Sequence, residues 1–547
     1  MKPNRSLGSG VVLLSAFLIL SVAGCDDKYF DFDRDKALLY EPTIAAPLVN
    51  TVMDMSDILG DSSINDLFVQ DATGFLALVY TATTETVTAR EFYELPGFSE
   101  SQTFSLDAAL ITAFNAAGSI SVPFSTTFNY DPGPGISLET VEVRSGEMVV
   151  NINSDFRHSG SLAIGLPTAT RGGNALQENI PFTFSGSVPV VTSRTIDISG
   201  YTFDLTDGGT TVNSIPADLV MALTNSGNNT DPSDELVIDI SFENMEYELL
   251  IGDFGQQQFD LDPDSVNLDA FNNAFGGSFR ATDPSVEFRI ANSFGIPIEL
   301  QFSEFRSRNV NTGRTVDLGG PGVTDPKLIE RAQSPGDVAL SSFVLNTDNT
   351  TNVVELIEPS PKFVTYEYSV TGNPSGPANP LNFISSESEF VVDAEVTIPL
   401  EGYATNLTFG DTLNFEFGSD DNVDNVKSAL IRTNIINGFP MDLESQVIFL
   451  DEFGQAIDSL YNGPTSIVAA GIVPPNDGRV TIPGVQVTDV VIENERIVNI
   501  LQADKAFVRI KTETFMSDEP RIVRIFNDYE IDIKIGIIAS TSVEVND

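Results

Sequence analysis

Tyr529-Glu530-Ile531-Asp532-Ile533-Lys534-Ile535 alternates apolar and polar residues throughout its length. Val237-Ile238-Asp239-Ile240-Ser241-Phe242 and Glu142-Val143-Arg144 do the same. Successive side chains of a strand point to opposite faces, so a period of two specifies strands with one buried and one wet face. Turn signals separate such stretches: Asp131-Pro132-Gly133-Pro134-Gly135, Asp207-Gly208-Gly209, Gly319-Gly320-Pro321-Gly322 and Asn476-Asp477-Gly478. Helical periodicity is confined to two short stretches, Met53 to Leu59 and Leu268 to Phe275. Many short strands with Gly/Pro turns predict an all-β chain of elongated, tandem β-sandwich domains.

An internal repeat of about 143 residues organises these strands. Ile198-Ser199-Gly200-Tyr201, Leu340-Ser341-Ser342-Phe343 and Ile482-Pro483-Gly484-Val485 stand 142 apart. The strands containing Val220, Val364 and Val508 are spaced by 144. Arg289 to Leu300, with Gly295-Ile296-Pro297, recurs 143 later at Arg432 to Leu443, with Gly438-Phe439-Pro440. The corresponding Val149 to Phe156 stretch is degenerate and lacks the proline. Repeats this long are whole domains in tandem, since solenoid units run 20–50 residues. The expected division is 1–24 signal peptide, 25–40 acidic tether, 41–135 N-terminal β module, then repeats at 136–279, 280–421 and 422–547.

The N-terminus sets the expected address. Lys2 and Arg5 precede an apolar run from Val11 to Val22, followed by Val22-Ala23-Gly24-Cys25. The run is about half the roughly 20 residues that span a bilayer. It therefore reads as a cleaved secretory signal ending in a lipobox. Cleavage before Cys25, the one cysteine of the chain, would leave its sulfur carrying diacylglycerol and its amine an acyl chain such as palmitate. Two or more chains hold far more persistently than one. With Cys25 acylated, no disulfide or cysteine metal site remains, and buried apolar area must supply stability.

A formal net charge of −50 opposes phosphate backbones, so nucleic-acid partners are excluded. An acidic, lysine-poor surface suits a saline medium that screens self-repulsion. Asp26, Asp27, Asp31, Asp33 and Asp35 follow the anchor as a solvated tether.

Candidate chemistry is sparse. Asp260, Asp262, Asp264 and Asp269 space oxygens as calcium loops do, although Ser265 and Phe271 stand where an EF-hand needs Gly and Glu. The plainer reading is an acidic loop ahead of a helix, capped by Asp264. His158, the sole histidine, lies in an expected turn and lacks a Gly-x-Ser-x-Gly context. One imidazole cannot build a histidine-rich metal site. Carboxylate pairs of the glycosidase kind cannot be singled out among 78 acidic residues. Tryptophan is absent, which counts against a sugar-stacking cleft. No catalytic or cofactor-binding residue is expected.

Several stretches together resemble large surface lipoproteins of Bacteroidota that have no assigned activity. They are Ile44 to Val49, Ser199 to Leu205, Asp253-Phe254-Gly255-Gln256, Asp264 to Phe271 and Asn292 to Pro297. The acidic stretch after Cys25 resembles the surface-export signal of such proteins. Asp264-Ser265-Val266, Asp411-Thr412-Leu413 and Asp458-Ser459-Leu460 resemble their O-glycosylation acceptors. Val286 to Leu300 resembles one hairpin of the late-embryogenesis-abundant β-sandwich. The resemblance implies an outer-membrane or cell-surface lipoprotein. Its expected role is non-enzymatic binding, adhesion or scaffolding, with an outer-membrane complex or polysaccharide as partner. The alternatives are a glycan-binding accessory of a polysaccharide-uptake system, a carboxylate-based hydrolase and, remotely, a lipid carrier.

Overall fold

The computed structural model describes residues 38–40, 43–55, 67–260, 262–268, 274–310, 312–376, 381–414, 426–463, 465–475, 478–501, 503–516, 519–541 and 543–545. The fold is all-β, with every sheet antiparallel. Residues 285–399 and 426–541 each place five long strands in the same order in two facing sheets; residues 137–253 place the same five, together with Asn174–Phe182, in two facing layers that Thr202–Asp204, paired with both Ser137–Ser154 and Ser159–Arg171, joins into one continuous sheet.

In the first sandwich, one layer runs Val190–Asp197, Ser137–Ser154, Glu235–Asp253, Phe98–Ser105. The other runs Asn174–Phe182, Ser159–Arg171, Ser214–Thr224, Ser119–Asn129. In the second, Ala339–Leu345, Ser285–Asn292, Glu389–Pro399 and Leu76–Thr88 form one sheet. Ile298–Arg308 and Phe363–Gly372 centre the other. The third repeats this with Gly484–Glu493, Val426–Asn437, Ile531–Thr541 and Thr43–Met53, facing Asp442–Leu450, Lys505–Glu513 and Glu401–Asn414.

The segment 41–135, read from sequence as one leading module, is divided among all three sandwiches. Its strand Thr43–Met53 joins the third, Leu76–Thr88 the second, and Phe98–Ser105 and Ser119–Asn129 the first. The chain thus runs backward through the array before running forward. Each of these strands closes a sheet edge that would otherwise present unpaired backbone groups.

The sandwiches stack head to tail. Leu249–Gly252 pairs with Asn382–Ser385 across the first joint, and Phe75 with Phe526 across the second. Close approach requires glycine at two positions: a Cβ on Gly252 would lie 2.3 Å from the Ser137 carbonyl oxygen, and one on Gly402 2.1 Å from that of Arg280. At the second joint the Arg479 guanidinium sits 3.9 Å from the Phe526 ring centroid. It also pairs with Asp528 at 2.8 Å and donates to the Thr73 carbonyl.

The core is one apolar cluster continuous through the three sandwiches. Phe288 shows how facing sheets meet: its ring packs on Phe302, Phe305, Phe343 and Tyr366 at centroid distances of 5.2–6.2 Å. A smaller cluster of Phe449, Ile492, Ile500, Ala503 and Ala506 fills the end of the third sandwich away from the second. No described helix is long and apolar enough to cross a membrane.

Candidate functional surfaces

Cys25 and Asp269 lie outside the described residues. Asp260 ends one short strand and Asp264 opens the next, and both strands pair with Phe363–Gly372. Asp264 is therefore a strand residue and not a helix cap; its Oδ1 accepts the Ser265 N–H at 2.6 Å. Val266, buried on the pleated surface, suits this extended pairing. Of the helix expected over Leu268 to Phe275, the described end, Ala274 and Phe275, belongs to the strand Ala274–Ala281. Met53 ends a strand and Met55 is helical, while the rest of the Met53 to Leu59 stretch lies outside the described residues. Asp262 is exposed. Among the described residues, no group of three or more His, Cys, Asp or Glu side chains could hold a metal ion. Of the acceptor-like motifs, Ser265 and Thr412 are exposed, whereas the Ser459 hydroxyl donates to the Tyr461 carbonyl at 3.0 Å.

His158 is fully buried. The Ser226 N–H donates to its Nδ1 at 3.1 Å, which leaves the ring proton on Nε2, 2.9 Å from Thr230 Oγ1. An imidazole donating to that hydroxyl cannot take its proton, so the pair is no nucleophile–base couple. Burial holds the histidine's pKa below its ordinary value, with Asp234 partly opposing. The ring packs edge-on against Phe114 at 4.9 Å. Phe114 belongs to the helix Ala108–Ala117, capped by Asp107 at 2.8 Å and ended by Gly118 in the left-handed region. Helix and histidine together close the far end of the first sandwich.

A motif that the proline spacing obscured fixes the equivalent turns elsewhere. Asn292 Nδ2 donates to the Ile296 and Glu330 carbonyls at 3.0 Å each, and its Oδ1 accepts the Phe294 N–H at 3.0 Å. Asn437 repeats this with Met441 at 2.9 Å, Ala469 at 3.1 Å and Phe439 at 2.9 Å. The matching position is thus the asparagine, 145 residues apart, and not the proline. In the first sandwich Ser154 stands there, accepting the Phe156 N–H at 3.2 Å.

Two cavities are shallow. One of about 260 Å³ is lined by Glu142, Arg144, Tyr201 and Glu248. Arg144 and Glu248 pair loosely at 3.8 Å while each remains more than half exposed. The Arg171 guanidinium lies 4.5 Å from the Tyr201 ring centroid, covering a face a sugar would need. The other cavity, about 80 Å³, lies by Asp442, Thr514 and Arg521 at the second joint.

Exposed apolar side chains concentrate on the third sandwich. Val485, Val487 and Val491 are 53–62% exposed on its edge strand, and Val52, Ile482, Ile472 and Ile522 are 51–57% exposed. Phe453, at the tip of the hairpin joining Asp442–Leu450 to Ala456–Ser459, is 79% exposed.

No family model and no curated protein matches the chain. Among solved structures it is similar to a Parabacteroides distasonis protein that its name places among secreted proteins. That likeness has 11% identity and a TM-score of 0.26, and covers 54% of this chain and 89% of the other. It is also similar to the infectious bursal virus T=1 particle protein, at 10% identity and a TM-score of 0.13, covering 78% of this chain and 74% of that one. Neither likeness informs the reading below.

Proposed function

We propose that the protein is a lipid-anchored display scaffold of the outer membrane or cell surface, with no enzymatic role. It is held by acylated Cys25 and carries three stacked sandwiches away from the bilayer. The carrying observation is where the chain's N-terminal end enters the fold. Thr43–Met53 pairs with Ile531–Thr541, and Leu38–Tyr40 pairs with Val543–Val545. The first and last described strands therefore meet on the third sandwich, at the end facing away from the second. Anchoring through Cys25 makes the third sandwich membrane-proximal and the helix-capped first sandwich distal. This reverses the order that the linear sequence suggests.

The solvent-exposed Arg144–Glu248 pair and the inward-locked His158 support a binding rather than a catalytic role. A glycan-binding accessory role is the second reading, but the covered Tyr201 face does not favour it.

The test has two parts. Cys25→Ala should move the protein from the membrane to the soluble fraction; retention by any route other than an uncleaved signal would sink the anchor. In intact cells, an epitope inserted at Gly172-Gly173, in the first sandwich, should be reached by antibody more readily than one at Ser540-Thr541. The opposite ranking would overturn the proposed orientation.

A further inference from the structure

The end of the third sandwich at which the strand Thr43–Met53 begins can be assigned residue by residue. Thr43 pairs with Ser540, Ser540 with Ser428, and Ser428 with Glu493. In the facing sheet, Leu450 and Asn414 both pair with Lys505. All these strand ends lie opposite the 438–441 turn, which faces the second sandwich. The hairpin that follows Leu450 therefore projects from the same end at which the tether enters. Residues 26–37 separate Cys25 from Leu38, a reach of about 45 Å at full extension.

Phe453 sits at the tip of that hairpin, in a turn that holds it rigidly outward. Asp451 Oδ1 accepts the N–H groups of Phe453 at 3.0 Å and Gln455 at 2.7 Å, and Gly454 takes φ +78°. The same turn occurs at Asp71-Ala72-Thr73-Gly74, where Asp71 Oδ1 accepts from Thr73 at 2.7 Å and Phe75 at 3.0 Å. There the presented residue is Thr73, so nothing in the turn's geometry calls for an aromatic. The equivalent hairpin tip in the first sandwich is Gly172-Gly173, between Ser159–Arg171 and Asn174–Phe182.

A second apolar feature lies at the same end. Ala45, Ile538, Leu430 and Val491 form one row across the sheet, with Ile538 36% and Val491 57% exposed on its outer face.

We infer that the Asp451–Gly454 turn is a membrane-contacting wedge, with Phe453 entering the interface of the same bilayer that holds Cys25. An aromatic ring on a fixed turn buries apolar area at the headgroup boundary with little loss of conformational freedom. The tether keeps the bilayer at high effective concentration, so one ring and one aliphatic row suffice to orient the array. The inference rests on the anchor reading of Cys25.

The chain has no tryptophan and one cysteine, which allows a direct test. The mature chain from Cys25 onward, carrying Phe453→Trp, is coupled through its thiol to maleimide headgroups in phosphatidylcholine vesicles. On coupling, emission should shift to the blue and be lost when the lipids carry brominated acyl chains. Val191→Trp in the first sandwich should change in neither respect. Unchanged emission from the coupled Phe453→Trp chain overturns the wedge. A blue shift that grows with protein concentration without vesicles also overturns it, since a second copy would then be covering Phe453. Because the coupling is chemical, these outcomes are independent of whether cells acylate Cys25, which Cys25→Ala decides separately.

Discussion

The first and third sandwiches share one strand order yet close their turns differently. In the third, the single side chain Asn437 makes three hydrogen bonds that hold the turn leading to buried Phe439. That turn abuts the second joint, where Tyr529 stacks edge-on to Phe439 at 5.7 Å. In the first, no sandwich among the described residues covers the equivalent turn. Ser154 makes one of the three bonds, and His158 and the helix Ala108–Ala117 close the exposed end. A unit at the end of a stack needs a cap that internal units receive from their neighbours. The third sandwich's own free end receives a small satellite core instead and leaves Phe453 outside.

The deepest test of this comparison removes the strand Thr43–Met53, which the third sandwich borrows from far upstream. Deleting residues 38–67 takes Thr43–Met53 from beside Ile531–Thr541. Amide exchange protection should then be lost across Ile531–Thr541 and Val426–Asn437 and kept in Ser214–Thr224, which pairs with two other strands. Equal loss in all three segments would mean that the array unfolds as one unit; no loss would mean that the borrowed strand contributes nothing. Exposure of the edge should also promote aggregation.

That borrowed strand marks the boundary of what the sequence makes legible. Period-two alternation located strands such as Glu235–Asp253 and Ile531–Thr541, because one face of each meets the core. It carries no record of which sheet receives a strand. Thr43–Met53 finds its partner nearly 500 residues away, and alternation is the same whether that partner is near or far. The spacing of 142 matched Ile198, Leu340 and Ile482, but Ile198 is fully buried while Leu340 is 80% exposed. The positions that correspond in register are Val191, Leu340 and Val485, each one residue into the edge strand and 62–80% exposed. The stretch from the turn to the edge strand spans 37 residues in the first sandwich (Ser154 to Val191) and 48 in the second and third (Asn292 to Leu340, Asn437 to Val485), which shifts the numbering without changing the register. Asn292 and Asn437 were visible as residues of the repeat, but only the hydrogen bonds distinguish them from the prolines nearby. The Asp-x-x-Gly turns at Asp71 and Asp451 were readable signals for Phe453.

The next largest effect compares the two buried rings. Phe156 and Phe439 are both fully buried, and replacing either with Ala should cost about 3–5 kcal/mol in its own sandwich. If the turns are equivalent, the two losses measured by chemical denaturation, each followed by local exchange, should agree within the spread of such substitutions. A loss in the first sandwich far below that in the third would show that the helix cap collapses into the space.

Removing the pins should separate them. Asn437→Ala deletes three hydrogen bonds and should cost about 3 kcal/mol, whereas Ser154→Ala deletes one and should cost about 1 kcal/mol. Equal costs would show that the asparagine's carbonyl partners find water, and would remove the distinction between a turn held by one amide and a turn held by several groups.

The smallest effect is a pH dependence confined to the first sandwich. Burial depresses the pKa of His158 in the fold, so between that value and the ordinary value near 6.5 the unfolded chain binds more protons than the folded one. Stability must therefore be fully present above about pH 6.5 and decline as pH falls toward the folded pKa. The carboxylates whose pKa values the fold lowers, Asp71, Glu91, Asp197, Asp231, Glu355 and Asp489, start from 3.8 or 4.5. Their contributions are lost at lower pH, which leaves the window between about 5 and 6.5 to the single histidine. Exchange protection of Ser159–Arg171 should weaken across that window while Asp442–Leu450 holds steady. His158→Gln should be less stable at neutral pH and flat across the same range. A slope that survives the substitution would move the acid sensitivity elsewhere and leave the cap of the first sandwich a matter of packing alone.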